Sequence, residues 1–382
     1  MIYLDHAATT PVNPDALKAA WPWLTNEFGN PSSTHELGHR AGMALEAARD
    51  AVAKWLGCRG SEVIFTSGGT EGINLAIEGL ALANPRGRHI VSSPTEHEAV
   101  LQSIDYLVRH HKFEVTWLDV DLMGCVSEAQ LKTALRLDTS LVTLMMANNE
   151  VGTIHPVKKL AALAHEVGAA FHTDAVQAAA WLNCKVAELG VDALTISGHK
   201  FGAPKGSGAT YIRGRLAVEP LLHGGGQENG RRSGTENLAW AVALATAVAD
   251  LGDLEGEAAR VSESRDRFIA KVQKLVPQAV LTGHPVNRLP SIASFCVPGL
   301  SGEALLLELE RRNIIVSSGS ACAAGSDEPS HVLTAMGFDA ELAQTAIRFS
   351  FSHQTTDAEL DQAAIALAEA VATVGGTDKI AE

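Results

Sequence analysis

The chain has 382 residues, of which 46% are hydrophobic and 19% are charged, and its formal net charge at pH 7 is −14. This composition is typical of a globular protein large enough for two domains. The acidic balance argues against direct nucleic-acid binding as the main function, because phosphate contact needs clustered basic residues. No apolar run reaches the roughly 18 residues that a membrane-spanning helix needs, so we expect no membrane association.

The five cysteines are widely spaced and include no C-x-x-C pair: Cys58, Cys125, Cys184, Cys296 and Cys322. This spacing argues against a disulfide framework and a structural zinc site, and it indicates a reducing compartment. The first residues lack the basic and apolar regions of a signal peptide. We therefore expect a cytoplasmic protein without a bound metal.

The first half of the chain alternates between helical and extended patterns. Residues 1–14 form a proline-punctuated arm; helices are predicted at 15–23, 39–56, 98–110, 127–135 and 157–168, and strands at 63–65, 89–91, 114–118, 141–146 and 209–212. Strands that alternate with helices predict an α/β fold with a mainly parallel sheet covered on both faces.

The later part of the chain predicts a smaller α+β domain. One long helix is expected from Leu238 to about Val276, bent near Gly252 and Gly256. Strands follow at 291–297 and 314–316, and helices at 301–312 and near 357–374. We predict an arm at 1–14 that packs with the small domain, a large domain at 15–255 and a small domain at 256–382.

A glycine pair separates the strand at 63–65 from the helix that follows it. Gly68, Gly69 and Thr70 open this helix. Free backbone N–H groups and the positive end of the helix dipole bind anions at such a junction. The alternative is a tight turn that needs glycine, but Asp174 and Lys200 favour a cofactor-phosphate site.

Two predicted strand ends present a carboxylate and an amine. Asp174 stands at the end of one short strand, and Lys200 stands in the polar turn that follows the apolar run 193–196. Ligands of open α/β sheets bind at the carboxyl ends of strands. A lysine that forms an imine and a carboxylate that keeps a pyridine nitrogen protonated are what pyridoxal 5′-phosphate requires. By itself, the Lys200 stretch favours a solvated surface lysine, and the other stretches of the chain reverse that preference.

Six short motifs, in order, resemble the cysteine desulfurases of the NifS/IscS type, which are class-V aminotransferase-like, fold-type I pyridoxal-phosphate enzymes. They are Thr66-Ser67-Gly68-Gly69-Thr70-Glu71, Thr95-Glu96-His97, Asn148-Asn149-Glu150-Val151-Gly152, the Asp174 and Lys200 stretches, Arg232-Ser233-Gly234-Thr235, and Ser317-Ser318-Gly319-Ser320-Ala321-Cys322. The resemblance runs from Tyr3 to about Phe351.

The resemblance implies a cofactor-binding set. Its members are Gly69, Thr70, His97, Asn149, Asp174, Gln177, Ser197, Gly198, His199, Lys200 and Thr235. His97 would stack on the ring and help move the substrate's thiol proton, and Asn149 would contact both the ring oxygen and the substrate. Gln177 would bond the phenolic oxygen, although a surface amide is the alternative. Thr235 would reach the partner subunit's cofactor phosphate in a homodimer.

The resemblance also gives roles to Cys322 and Arg348. Cys322 lies in a run of small residues, and its thiolate would take the sulfur as a persulfide. Arg348 alternates with apolar residues on a predicted strand, where an arginine usually holds an anion. That anion would be the substrate α-carboxylate, with an internal salt bridge as the alternative.

The implied reaction converts L-cysteine to L-alanine, with Lys200, Cys322 and His97 as catalytic residues. The sulfur would pass to an acceptor protein, which could be an iron–sulfur scaffold, a tRNA-thiolation component or a DNA-phosphorothioation component. Alternatives are a selenocysteine lyase, a class-V aminotransferase, or a partner-binding assembly protein that retains the fold. Gly72-Ile73 departs from the pattern of many family members. The given sequence ends at Glu382, without the longer C-terminal tail by which IscS-like members bind their scaffold protein, which leaves delivery to a scaffold open.

Overall fold

The computed structural model describes residues 1–318 and 328–377. Its strands are β1 (Ile2–Tyr3), β2 (Val63–Thr66), β3 (His89–Ser92), β4 (Glu114–Trp117), β5 (Thr139–Thr143), β6 (Ala170–Asp174), β7 (Ala193–Ser197), β8 (Gly208–Ile212), β9 (Val280–Leu281), β10 (Ile292–Cys296), β11 (Ile314–Ile315) and β12 (Ala346–Ser350). Its α-helices are α1 (Pro14–Thr25), α2 (Glu36–Leu56), α3 (Gly69–Ala83), α4 (Glu98–His111), α5 (Glu128–Ala134), α6 (Val157–Glu166), α7 (Val186–Leu189), α8 (Leu238–Ala249), α9 (Leu254–Leu275), α10 (Gly302–Arg311), α11 (His331–Ala335), α12 (Ala340–Ala343) and α13 (Asp357–Thr377).

A seven-stranded sheet in the order β2-β8-β7-β6-β5-β3-β4 forms the centre of the molecule. The predicted α/β fold with a mainly parallel sheet is confirmed, except that β8 runs antiparallel to both neighbours. Parallel neighbours need a crossover of about a dozen residues or more. Only residues 198–207 join β7 to β8, so the chain turns back directly. The carboxyl ends of β3, β5, β6 and β7 therefore lie at one edge of the sheet.

A second, antiparallel sheet in the order β12-β10-β9 lies in the later part of the chain. Phe268 of α9 makes edge-to-face contacts with Phe295, Phe349 and Phe351 on and beside this sheet. The arm reaches the same region, because β1 pairs in parallel with β11. The proposed division at residues 14 and 255 stays a prediction.

The prediction of one bent helix from Leu238 to Val276 is wrong. Two helices, α8 and α9, occupy this stretch, and residues 250–253 separate them. Gly252 has a left-handed φ of +59°, which a helix interior does not accept. The side chain of Asp253 then accepts a hydrogen bond from Gly256 N at 3.1 Å and caps the start of α9. The glycine and the cap together end one helix and begin another.

No helix within residues 1–318 and 328–377 is long and apolar enough to cross a membrane.

Burial of Glu78 on α3 predicts a pH-dependent stability. The residue is 8% exposed, and burial raises the pKa of its carboxyl from 4.5 to about 7. The folded state thus holds a proton that the unfolded state releases, and the free energy of unfolding falls as pH rises from 4.5 to 7. We expect Glu78→Gln to be more stable than the wild type, by a margin that grows across this range. Urea titrations at several pH values measure this difference in the free energy of unfolding. A difference that stays constant with pH would contradict the prediction.

Candidate active site

The start of α3 lies close against the ends of two sheet strands. A Cβ added to Gly69 would lie 2.9 Å from Val176 Cγ2 and 3.4 Å from Ser197 Cβ. One added to Gly208 would lie 2.7 Å from Gly68 Cα. The first N–H groups of a helix have no intrahelical acceptors, so this tight junction presents backbone donors beside the Ser197 hydroxyl. The donor set fits a phosphate, as the sequence predicts for Gly69 and Thr70.

Filling this junction should weaken cofactor binding. We expect Gly69→Ala to lower the affinity of the unloaded protein for pyridoxal phosphate by about tenfold, since overpacking costs about 1–3 kcal/mol. Absorbance titration with the cofactor measures the change. Gly376→Ala is the matched control, because a Cβ there meets no atom within 4 Å. Equal affinities for the two variants would contradict the assignment.

Asp174 is the last residue of β6 and is 6% exposed. Its Oδ1 accepts a hydrogen bond from Val176 N at 2.8 Å. Burial raises the pKa of this carboxyl, whereas the nearby charges of His97 and Lys200 lower it. These three predicted site residues therefore interact at one point of the sheet edge. A protonated pyridine nitrogen would add the close cation that a buried carboxylate needs.

Lys200 and Gln177 both bind the N-terminal arm. Lys200 Nζ donates to the carbonyl oxygens of Ala7 at 2.7 Å and Ala8 at 2.9 Å, and Gln177 Nε2 donates to Ala7 O at 2.8 Å. Both also line a cleft of about 610 Å³, whose other lining residues include parts of the arm, the end of α8 and residues 351–354. The sequence did not predict that the arm would supply these acceptors.

His199 lies in the same turn and contacts the arm as well. Its Nδ1 shares a hydrogen bond of 3.2 Å with Thr9 Oγ1. Burial, together with the charges of Lys200 and Lys205, lowers the pKa of His199 to about 4. The ring is therefore neutral at pH 7 and can serve as a neutral hydrogen-bonding group in the pocket.

His97 caps α4 from the end of β3. Its Nδ1 accepts a hydrogen bond from Ala99 N at 3.0 Å, so the neutral ring carries its proton on Nε2. The preceding residue, Glu96, is fully buried, and its Oε1 accepts from Met145 N at 2.8 Å. Burial raises the pKa of Glu96 well above its ordinary value. Glu96 belongs to the Thr95-Glu96-His97 motif, but no local sequence pattern indicated that its side chain would be buried.

Arg348 makes an internal ion pair, which is the alternative that the sequence left open. The side chain is 1% exposed, and its Nη2 donates to Asp5 Oδ1 at 3.0 Å. Its Nη1 donates to the backbone carbonyl of Asn149 at 2.9 Å. Its Nε is buried and has no hydrogen-bond partner among the described residues. Two of the five N–H groups of the guanidinium are therefore engaged by the chain, and Nε is a donor that finds no acceptor in the described part of the chain.

Thr235 lies away from this group. It is exposed and lines a cavity of about 130 Å³ with Ser67, Gly206 and Trp240. Among the described residues that line them, this cavity and the cleft at Lys200 have none in common. In the single chain, Thr235 and Lys200 therefore line different cavities.

Cys322 lies outside the described residues. Burial raises the pKa of Cys58 and Cys184 to about 12 and that of Cys125 and Cys296 to about 11, so these four are neutral thiols at pH 7. Within residues 1–318 and 328–377, no group of three or more His, Cys, Asp or Glu side chains could hold a metal ion.

The sequence matches the class-V aminotransferase family over residues 2–363, and the chain belongs to that family. It is 46% identical to the cysteine desulfurase IscS of Dictyoglomus turgidum over 94% of this chain and 92% of that protein. A solved NifS-like protein superposes with a TM-score of 0.91 at 36% identity, covering 97% of this chain and 99% of the other. The structure of SspA in complex with cysteine gives a TM-score of 0.81 at 35% identity, covering 92% and 99%. Within the family, the chain is a cysteine desulfurase of the NifS/IscS type, and the resemblance seen in the sequence is confirmed.

Proposed function

We propose that this cysteine desulfurase converts L-cysteine to L-alanine and that Cys322 accepts the sulfur. The observation that carries the proposal is the grouping of Lys200, the buried Asp174 and His97 at the carboxyl edge of the sheet. An amine, a buried carboxylate and an imidazole in one place are the groups that such chemistry needs.

Pyridoxal phosphate is the cofactor that the family uses, and when bound it supplies an electron sink beside the substrate Cα. Gly69, Thr70, Ser197, Gly198 and His199 would hold its phosphate and ring pocket. Asp174 would pair with the ring nitrogen, and Gln177 and Asn149 would bind the ring oxygen. Gln177 would then give up its hydrogen bond to Ala7.

Proton movement falls to Lys200 and His97. A Lys200 amine displaced by the substrate can take the Cα proton, and the carbonyls of Ala7 and Ala8 would stabilise the ammonium that results. Because Nδ1 of His97 is engaged by Ala99 N, Nε2 is the atom that would exchange a proton with the substrate thiol.

Arg348 would bind the substrate carboxylate with guanidinium N–H groups that the chain itself does not engage. The Cys322 thiolate would then attack the substrate sulfur: an S–S bond forms, the C–S bond breaks, and its electron pair returns to the substrate carbon, which is protonated to give alanine. The persulfide would pass its outer sulfur to an acceptor protein of iron–sulfur assembly, tRNA thiolation or DNA phosphorothioation. A homodimer, in which Thr235 reaches the partner's cofactor, and a reducing cytoplasmic setting complete the proposal.

Replacement of the sulfur-accepting residue tests this function. Alanine and sulfide release from L-cysteine, with pyridoxal phosphate and a thiol reductant, are compared for the wild type, Cys322→Ala and the control Cys125→Ala. We expect equal amounts of the two products from the wild type and the control, and background amounts from Cys322→Ala with its cofactor absorbance retained. If Cys322→Ala is as active as the wild type, a selenocysteine lyase or an aminotransferase becomes the better interpretation.

A further inference from the structure

Two hydrogen bonds fix the start of α11 against the turns that carry His97 and Asn149. Ser330 Oγ donates to Glu150 Oε2 at 2.5 Å, and His331 Nε2 bonds to the backbone carbonyl of Glu96 at 3.0 Å. Glu150 directly follows Asn149, and Glu96 directly precedes His97. We call these two bonds, and the residues Ser330, His331, Glu150 and Glu96 that make them, the double anchor.

The first bond of the double anchor is fully enclosed. Ser330 and Glu150 are each 3% exposed, and Ser330 Oγ also accepts from Leu333 N at 3.2 Å as the cap of α11. A hydroxyl that accepts from the helix and donates to a carboxylate has one orientation. A hydrogen bond to a buried charged group contributes more than a neutral one, and its loss leaves the other partner unsatisfied. Ser330 is therefore held firmly to the Asn149 turn.

The second bond joins the same helix to the His97 turn. A carbonyl oxygen can only accept, so His331 must carry a proton on Nε2. The fully buried side chain of Glu96 fixes that turn in place through its bond to Met145 N at 2.8 Å. His331, the first residue of α11, is thus bonded to the peptide carbonyl that directly precedes His97, the predicted proton-transfer residue.

The residues of α11 in the double anchor follow Cys322 closely in the sequence. Cys322 lies between Ser317 and Ser330 in the sequence. Ser317 pairs with Arg348 through Arg348 N to Ser317 O at 2.7 Å and Ser317 N to Arg348 O at 3.2 Å. Ser317, which precedes Cys322, is therefore bonded to the strand of Arg348, and Ser330 and His331, which follow it, are bonded to the turns of Asn149 and His97.

We propose that Glu150 and His331 are positioning residues for sulfur transfer, because they fix the downstream end of the Cys322 stretch against the substrate site. The inference rests on the proposed function, in which Cys322 accepts the sulfur. Neither residue is placed in contact with the reacting atoms. Their loss should slow the attack of Cys322 on the substrate sulfur and leave cysteine binding at the cofactor intact.

Four variants of the cofactor-loaded enzyme test the inference. Glu150→Ala and His331→Ala each remove one bond, whereas Glu150→Gln keeps an acceptor oxygen for Ser330. Ser301→Ala is the matched control, because Ser301 caps α10 through Ala304 N at 3.3 Å and so loses only a helix cap. Two quantities are measured: the cysteine-dependent change in cofactor absorbance, and the rate of persulfide formation on Cys322 in a single turnover, by mass spectrometry.

We expect Glu150→Ala and His331→Ala to slow persulfide formation about tenfold or more, since a small misplacement of a reacting group can cost up to ~10²-fold. The cysteine concentration that gives half of the absorbance change should stay near the wild-type value. Glu150→Gln and Ser301→Ala should behave like the wild type. Persulfide formation at the wild-type rate in both Ala variants would overturn the inference, and so would an equal loss of cysteine binding and persulfide formation.

Persulfide labelling of the wild type distinguishes a failure of this inference from a failure of the proposed function. If the wild type places no persulfide on Cys322, the proposed function fails and the inference fails with it. If the wild type is labelled and the Ala variants are labelled equally fast, only the inference fails. If circular dichroism shows that Glu150→Ala is unfolded, the inference is tested with His331→Ala alone, because His331 is only half-buried.

Discussion

Replacement of Lys200 by arginine should reduce alanine release from L-cysteine by at least about 10⁴-fold, near the upper end of what a general acid–base residue contributes. Arginine keeps a cation that can bond the carbonyls of Ala7 and Ala8, which accept from Lys200 at 2.7 and 2.9 Å. It cannot be deprotonated at neutral pH, so it can neither attach to the cofactor nor take a proton from Cα. The variant thus separates the amine chemistry of this position from its structural contacts.

A second readout shows whether the cofactor is attached at this position. Borohydride treatment should fix pyridoxal phosphate on the wild-type chain and on Lys205→Arg, an exposed neighbour that keeps Lys200. It should leave Lys200→Arg without the added mass. Substantial turnover by Lys200→Arg, or covalent labelling of that variant, would show that another amine carries the cofactor.

The second large effect is expected for Asp174→Asn, with a loss of roughly 10²- to 10³-fold in kcat/KM, the range for removal of one preorganised electrostatic contact. In contrast to activity, the stability of the protein without cofactor should increase on this replacement. Burial raises the pKa of Asp174 above 3.8, so the folded state holds its proton more tightly, and the free energy of unfolding falls as pH rises through the folded pKa. Asparagine has no proton to lose, so the unloaded variant should be more stable than the wild type above that pKa.

Asp192→Asn provides the contrast. Asp192 is 2% exposed, but it accepts from Phe171 N at 2.9 Å and pairs with Arg213 at 3.0 Å. Its replacement should lower the melting temperature and leave kcat/KM nearly unchanged. Thermal melts of the unloaded proteins, with activity assays of the loaded ones, compare the two variants. If Asp174→Asn also melts lower than the wild type, Asp174 stabilises the fold like Asp192.

Local sequence patterns predicted the elements on which the site is built. Gly57 ends α2 with a left-handed φ of +69°, as a glycine after a helical pattern indicates. The strand patterns in the Phe171–Asp174 stretch and at 193–196 placed Asp174 and Lys200 at neighbouring strand ends, and the two strands pair in parallel. Periodicity and turn residues are local properties, and they predict local structure well.

The contacts that complete the site could not be read from such patterns. Lys200 meets Ala7 across 193 residues of sequence, and Arg348 meets Asp5 across 343. Which residues meet over such distances depends on the packing of the whole chain. The antiparallel direction of β8 was also not predicted, although the short connection at 198–207 forces it.

The contacts of the N-terminal arm with β12 have a consequence for how the protein is made. Ala7 N bonds Ser350 Oγ and Asp5 bonds Arg348, so each arm residue meets a partner that is synthesised 343 residues later. At roughly 5–20 residues per second, the arm waits about 20–70 s for these partners. The carbonyls that hold Lys200 therefore take their final places only after β12 has been made. A nascent chain that has not reached β12 cannot hold a complete cofactor site, so we expect cofactor binding to follow the synthesis of β12.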